Sequence, residues 1–158
     1  MSLVVGTDTY VTLAEAVTYV TNMYMPSTDQ YVRWFSMSND NKEVLLRRAL
    51  RNIDRLPFVG SKAIVGQTLA FPRYPSTSVP TDIKAAQIEE ALALGDVSLE
   101  SAKKEYETLR TRGVRFYRIG NLSESFRNPV PSDTVEYSVS SEAMRLLSRY
   151  MTGGYWIK

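Results

Sequence analysis

The strongest apolar periodicity in the chain runs from Glu43 to Leu56. Leu45, Leu46, Ala49, Leu50, Ile53 and Leu56 recur with helical spacing and predict one buried helix face. Arg47, Arg51 and Arg55 sit four apart and are expected to form a basic row on the opposite face. Pro57 lacks an amide hydrogen and pushes Leu56 out of helical geometry, which fixes the exit of this helix. The segment that follows, from Pro57-Phe58-Val59-Gly60 to Leu69-Ala70-Phe71-Pro72-Arg73, is too apolar to lie open in water and is expected to fold back over the helix. Residues 57–80 hold four of the seven prolines, and a connection of that length is usually functional or bound to a partner. The other reading is a surface loop held down by Phe58, Leu69 and Phe71.

Further helices are predicted on both sides. Thr12 and Glu15 have capping-box spacing, and Leu13, Ala16, Val17, Val20 and Tyr24 continue a stripe to about Met25, before Pro26. A short helix over Asp29 to Phe35 is expected to bury Trp34 and Phe35. Ser38 to Asp40 offer caps for the central helix, with Asp40 and Glu43 in capping-box register. Thr81 is expected to cap a helix from Asp82 to Leu94, with Ile83, Ala86, Ile88, Ala91 and Leu92 inward and a stop at Gly95-Asp96. Residues 98–112 carry a thin helical stripe of Leu99, Ala102, Tyr106 and Leu109. Residues 113–119 and 122–126 read as a β-hairpin about Gly120-Asn121. Residues 128–138, with Pro129 and Pro131, read as a linker. Ser140 or Ser141 then caps a last helix from Glu142 to Met151, with Ala143, Leu146, Leu147 and Tyr150 on one side. Gly153-Gly154 ends it and leaves an apolar tail, Tyr155-Trp156-Ile157-Lys158, that either meets a partner or tucks back on its own domain. The pattern as a whole predicts a mainly α fold. It is a small bundle of four to five helices with a short β-hairpin, divided into a core over 1–127 and a docking helix with tail over 128–158.

Composition changes this picture mainly by exclusion. The 158 residues fit one domain able to bury about two-thirds of its unfolded surface. No apolar run approaches the roughly 18 residues that span a bilayer, and the start of the chain lacks a signal pattern, so no membrane partner and a cytoplasmic chain are expected. The chain has no Cys and no His, which removes disulfides, thiolate metal sites and the commonest general base. No Asp/Glu set has metal-site spacing, and adjacent Glu89 and Glu90 read as a solvated face. Gly60 to Gly66 lacks the Lys-Ser/Thr ending of a phosphate loop. No catalytic constellation, metal site or cofactor is therefore expected. Net charge is only +2 but uneven: −3 over 1–41, +3 over 42–55, −2 over 56–102, +4 over 103–127 and balanced thereafter. Alternation of this kind suits either contacts between copies of the chain or an ordinary solvated surface.

In the most basic stretch, Arg110, Arg112, Arg115 and Arg118 interleave with Phe116 and Tyr117, residue types that neutralise phosphates and stack bases. Strand alternation would divide Arg115 and Tyr117 from Phe116 and Arg118, so no pure stacking platform forms. A structural Arg/Tyr interface is the competing reading.

The helix ending Arg51-Asn52-Ile53-Asp54-Arg55-Leu56-Pro57-Phe58-Val59-Gly60, then Leu69-Ala70-Phe71-Pro72-Arg73, resembles the head-tail adaptor (head-completion) proteins of tailed bacteriophages. Some of these are labelled DnaT-like single-stranded DNA-binding proteins. The opening Gly6-Thr7-Asp8-Thr9-Tyr10-Val11-Thr12-Leu13-Ala14-Glu15-Ala16 is similar as well. So are Val79-Pro80, Ala85-Ala86 and Glu90 to Asp96, and the likeness spans residues 5–96. The resemblance implies a structural virion protein in the phage neck, assembled in the host cytoplasm. There it would be a head-tail connector forming a homo-oligomeric ring, commonly of twelve copies, between the portal protein and a tail-completion protein. Such a ring continues the channel for packaged DNA and genome ejection. Arg47, Arg51, Arg55, Arg115 and Arg118 would then face a neighbouring subunit or the channel, and Leu146, Leu147, Tyr150, Tyr155, Trp156 and Ile157 would dock on the portal. The alternative the same resemblance carries is a single-stranded DNA-binding protein of phage origin.

Overall fold

The computed structural model describes residues 2–96, 116–119, 122–125 and 139–151. The chain divides into two units, residues 1–95 with 138–158, and residues 96–137. Among the described residues there are five α-helices and two short strands, a mainly α protein. No described helix is long and apolar enough to cross a membrane.

Helix α1, Leu13–Met23, begins with the expected capping box, in which the Thr12 hydroxyl accepts from the Glu15 amide while the Glu15 carboxylate accepts from the Thr12 amide. Its buried face is Ala16 and Val20. Helix α2, Asp29–Ser36, buries Trp34 completely. Phe35, expected inside, is instead 39% exposed: it lies against Tyr31 at 4.3 Å between ring centroids, with the Lys42 ammonium 5.8 Å from its ring. Helix α3, Asn39–Asp54, starts four residues earlier than its apolar pattern suggested, because Ser38 caps it by accepting from the Asn41 amide. All six predicted core positions, Leu45, Leu46, Ala49, Leu50, Ile53 and Leu56, are buried.

Helix α4, Thr81–Leu94, has Pro80 at its N-cap position with no side-chain cap, so Thr81 is its first helical residue and not its cap. The expected Ile83, Ala86, Ile88, Ala91 and Leu92 are buried, and so are Gln87 and Glu90. A helix covered on more than one side is the centre of its bundle, and α4 packs against α3 and against α5, Ser141–Leu147. Gln87 satisfies its amide fully: its oxygen accepts from the Tyr10 amide at 2.9 Å, and its nitrogen donates to the Thr9 hydroxyl and the Leu46 carbonyl. Glu89 and Glu90, read as a solvated pair, are both engaged. Glu89 accepts from the Tyr19 and Tyr24 hydroxyls at 2.8 and 2.6 Å, and Glu90 accepts from the Asn52 side chain and the Ser140 amide at 2.8 and 2.7 Å. Burial and these carboxylate bonds push the Tyr19 and Tyr24 phenols well above their ordinary range.

One cluster of Val11, Ala16, Val20, Trp34, Leu46, Ala49, Ile88 and Ala91 forms the centre of the core. Ser140 caps α5 by accepting from the Ala143 amide, and a 3-10 turn, Ser148–Tyr150, shortens the expected single helix to Met151. Helix α5 belongs to the unit formed with residues 1–95. In the second unit, β1 (Phe116–Ile119) and β2 (Leu122–Ser125) pair antiparallel, with Phe116 opposite Ser125 and Ile119 opposite Leu122. The helix read over 98–112 and the linker over 128–138 lie outside the described residues.

Candidate nucleic-acid interface

Among the described residues the outer side of α3 carries a cationic row, but not the row that four-residue spacing proposed. Arg48, Arg51 and Arg55 are exposed, at i, i+3 and i+7 along the helix. Arg47 turns the other way. Its Nε donates to Asp8 at 2.8 Å, a terminal nitrogen donates to the Ser2 carbonyl, and Glu43 lies 3.6 Å away. Burial alone would raise the Asp8 carboxyl, but the bonds from Arg47 and the Val4 amide, with the Arg47 charge, outweigh it and hold the group below its ordinary value. Arg47 therefore anchors the N-terminal segment, and the exposed row on this helix is Arg48, Arg51 and Arg55 and not the expected Arg47, Arg51 and Arg55.

The exit of α3 leads into a loop clip. Phe58, Leu69 and Phe71 are all buried, so the segment is packed by its own chain. It joins the Tyr10 region to the C-terminal turn, while α1 and α3 share the core cluster directly. Phe71 lies edge-on to Tyr10, Phe58 and Tyr150, with centroids at 6.2, 4.8 and 5.8 Å. Asp54, at the end of α3, accepts from the Tyr10 hydroxyl and the Ala70 amide at 2.6 and 2.7 Å. Burial first, and then the Asp54 bond and charge, push the Tyr10 phenol far above its usual range. The rest of the clip is closed by side chains reaching backbone. Arg73 donates to the carbonyls of Phe58, Val59, Gly60 and Ala70. Lys62 donates to those of Gln67 and Thr68, and Gln67 to those of Leu69 and Pro72. The peptide bonds Phe71-Pro72 and Tyr74-Pro75 are cis.

This clip presents unusual chemistry outward. Val59, Ile64, Val65 and Tyr74 are exposed, Tyr74 to 75%. From Arg55 to Thr81 the chain contains no Asp or Glu, and its charges are Arg55, Lys62 and Arg73. The acids flanking it are occupied: Asp54 as described, and Asp82 by Arg149 and by the Tyr150 hydroxyl at 3.0 Å.

Of the residues expected to dock a partner, Leu147 is fully buried in α5 and cannot serve as a docking surface, because it already belongs to this fold's core. Leu146 is half-buried. Tyr150 is held by Asp82 and Phe71 within its own unit. Tyr155, Trp156 and Ile157 lie outside the described residues, as does Arg115; Arg118 sits in β1 opposite Ser123. Arg48, Lys62, Arg73 and Tyr74 were not picked out as site residues from the sequence. Among the described residues no group of three or more acidic side chains is placed to hold a metal ion.

Residues 2–158 match the protein family described as "Putative DnaT-like ssDNA binding protein". No curated protein and no solved structure matches the chain. The match corrects the connector reading: the family's description names single-stranded DNA binding, and nothing in it points to a virion, a neck, a portal-binding ring or genome ejection. With every residue but the first matched, the chain belongs to this DnaT-like family.

Proposed function

We propose that this protein binds single-stranded DNA without reading its sequence. The family match over residues 2–158 carries the reading. The surface that supports it is the exposed side of α3 with the acid-free clip beyond it. Arg55 lies seven positions after Arg48, about 10 Å along a helix axis, a span suited to neighbouring phosphates of an extended strand. Arginine is the cation best shaped for phosphate oxygens, because its planar fork donates two parallel hydrogen bonds. A strand bound in this way loses phosphate repulsion and releases counterions, with no requirement for any particular base.

The test is fluorescence anisotropy with a labelled oligothymidylate, competed with unlabelled single-stranded and duplex DNA of equal length. The protein should prefer the single strand, and R48E/R51E/R55E should weaken binding more than tenfold while its melting temperature stays near that of the parent. Binding unchanged by the triple reversal would remove α3 from the interface. No binding at low salt would end the reading.

A further inference from the structure

We infer that Tyr74 is a base-stacking residue, and that the clip over Val59 to Tyr74 is built to hold it out for a nucleobase. The inference rests on the single-stranded DNA reading and goes beyond it by naming a subsite and its ligand, the flat face of an unpaired base.

Three observations converge on this position. The first is that the clip is closed from within. Arg73 reaches four carbonyls, Lys62 two more and the Gln67 amide a further two, while the Tyr74 amide donates to the Ser61 carbonyl at 3.0 Å. Lys62 and Arg73 face each other across an antiparallel bridge, so the backbone that carries Tyr74 is tied on both sides. A loop fixed to this degree spends little further conformational entropy when a ligand arrives.

The second is that this closed clip does not use the Tyr74 ring. The side chain is 75% exposed, and no ring contact or hydrogen bond to it occurs among the described residues. Of the other aromatic residues of the neighbourhood, Tyr10, Phe58 and Tyr150 all pack on Phe71. A tyrosine kept out of such a cluster on a rigid support leaves an aromatic face open for an incoming ring.

The third is charge. Arg73 immediately precedes Tyr74 and pairs with Lys62 across the backbone bridge, Arg55 follows the last residue of the helix that leads into the clip, and no acidic residue occurs between Arg55 and Thr81. Along the chain from the end of α3 to Tyr74 the charged residues are all cations, Arg55, Lys62 and Arg73. Bases splayed from a backbone held by cations are the ligand this combination fits.

The experiment compares the full chain, Tyr74→Ala and Tyr74→Phe, each binding an oligothymidylate and an abasic strand of the same length and charge. Tyr74→Ala should bind the oligothymidylate on the order of 5- to 10-fold more weakly, the lower end of what removing one stacked base costs. It should bind the abasic strand as the parent does, and Tyr74→Phe should restore the difference. Photocrosslinking of a 5-iodouracil strand should map to Tyr74. Equal binding of the oligothymidylate by Tyr74→Ala, or an equal loss on the abasic strand, would overturn the stacking role and leave the DNA-binding reading standing. A change in oligomeric state on Tyr74→Ala would overturn it too, assigning the ring to contacts between copies. Failure of the parent chain to bind either strand would overturn both.

Discussion

Replacing Phe71 by Ala tests the architecture behind the candidate interface, because that ring joins three parts of the chain that are far apart in sequence. It is 3% exposed and meets Tyr10 from the N-terminal segment, Phe58 from the exit of α3 and Tyr150 from the C-terminal turn, all edge-on. Truncating an enclosed phenylalanine removes its transfer free energy and leaves a cavity, together about 3–5 kcal/mol. The edge contacts are part of what that figure measures and set where in the range it falls. Three walls of the site are aromatic rings that cannot collapse inward by simple rotation, so a value near 4 kcal/mol is expected. Against a total stability of roughly 5–15 kcal/mol this is a large fraction. Phe71→Leu keeps most of the volume and should cost about 1.5 kcal/mol or less. Urea unfolding followed by far-UV circular dichroism and by the fluorescence of buried Trp34 gives both values. A loss under about 1 kcal/mol for Phe71→Ala, with an unchanged denaturant slope, would show that the clip is not anchored through this ring.

Two further outcomes follow from polar groups. Glu90 is 1% exposed and accepts from Asn52 and the Ser140 amide, so Glu90→Ala strands two donors and should cost about 2–4 kcal/mol, with faster hydrogen exchange of the amides in α5. Asp8 and Glu15 both titrate below their ordinary values of 3.8 and 4.5, Glu15 through its bond from Lys84 and then from the Thr12 amide. Groups depressed in the folded state stabilise it above those values and lose the contribution as pH falls through and below them. The melting temperature should therefore drop on acidification below about pH 4.5, and Asp8→Asn with Glu15→Gln should flatten that drop.

The helices were legible because each carries a stripe of apolar residues that a single buried face requires. The polar placements were less so, for identifiable reasons. On a helix turning about 100° per residue, Arg47 lies about 40° to one side of Arg51, while Arg55 and Arg48 lie about 40° and 60° to the other. Four-residue spacing aligns 47, 51 and 55, but the side open to water contains 48, 51 and 55, and the group that draws Arg47 away is Asp8, 39 positions earlier. Glu90 looked solvated because its local pattern knows nothing of α5, whose cap it holds from 50 residues away. The acid-free run from Arg55 to Thr81 was present in the sequence, but averaging charge over 56–102 joined it to the acidic α4 and gave a negative sum. Tyr74 was invisible for a different reason: the sequence holds ten tyrosines, and only the fold shows that the ring of this one is left exposed.

The salt dependence of single-strand binding tests phosphate contact by α3 most directly. If Arg48, Arg51, Arg55 and one cation of the clip neutralise three to four phosphates, log affinity should fall against log salt with a slope of about −2 to −3. Oligonucleotides of equal length and different sequence should give slopes that agree, and R48E/R51E/R55E should flatten the slope by about 2. A slope near zero, or a slope that the triple reversal leaves unchanged, would contradict phosphate binding by this face of α3.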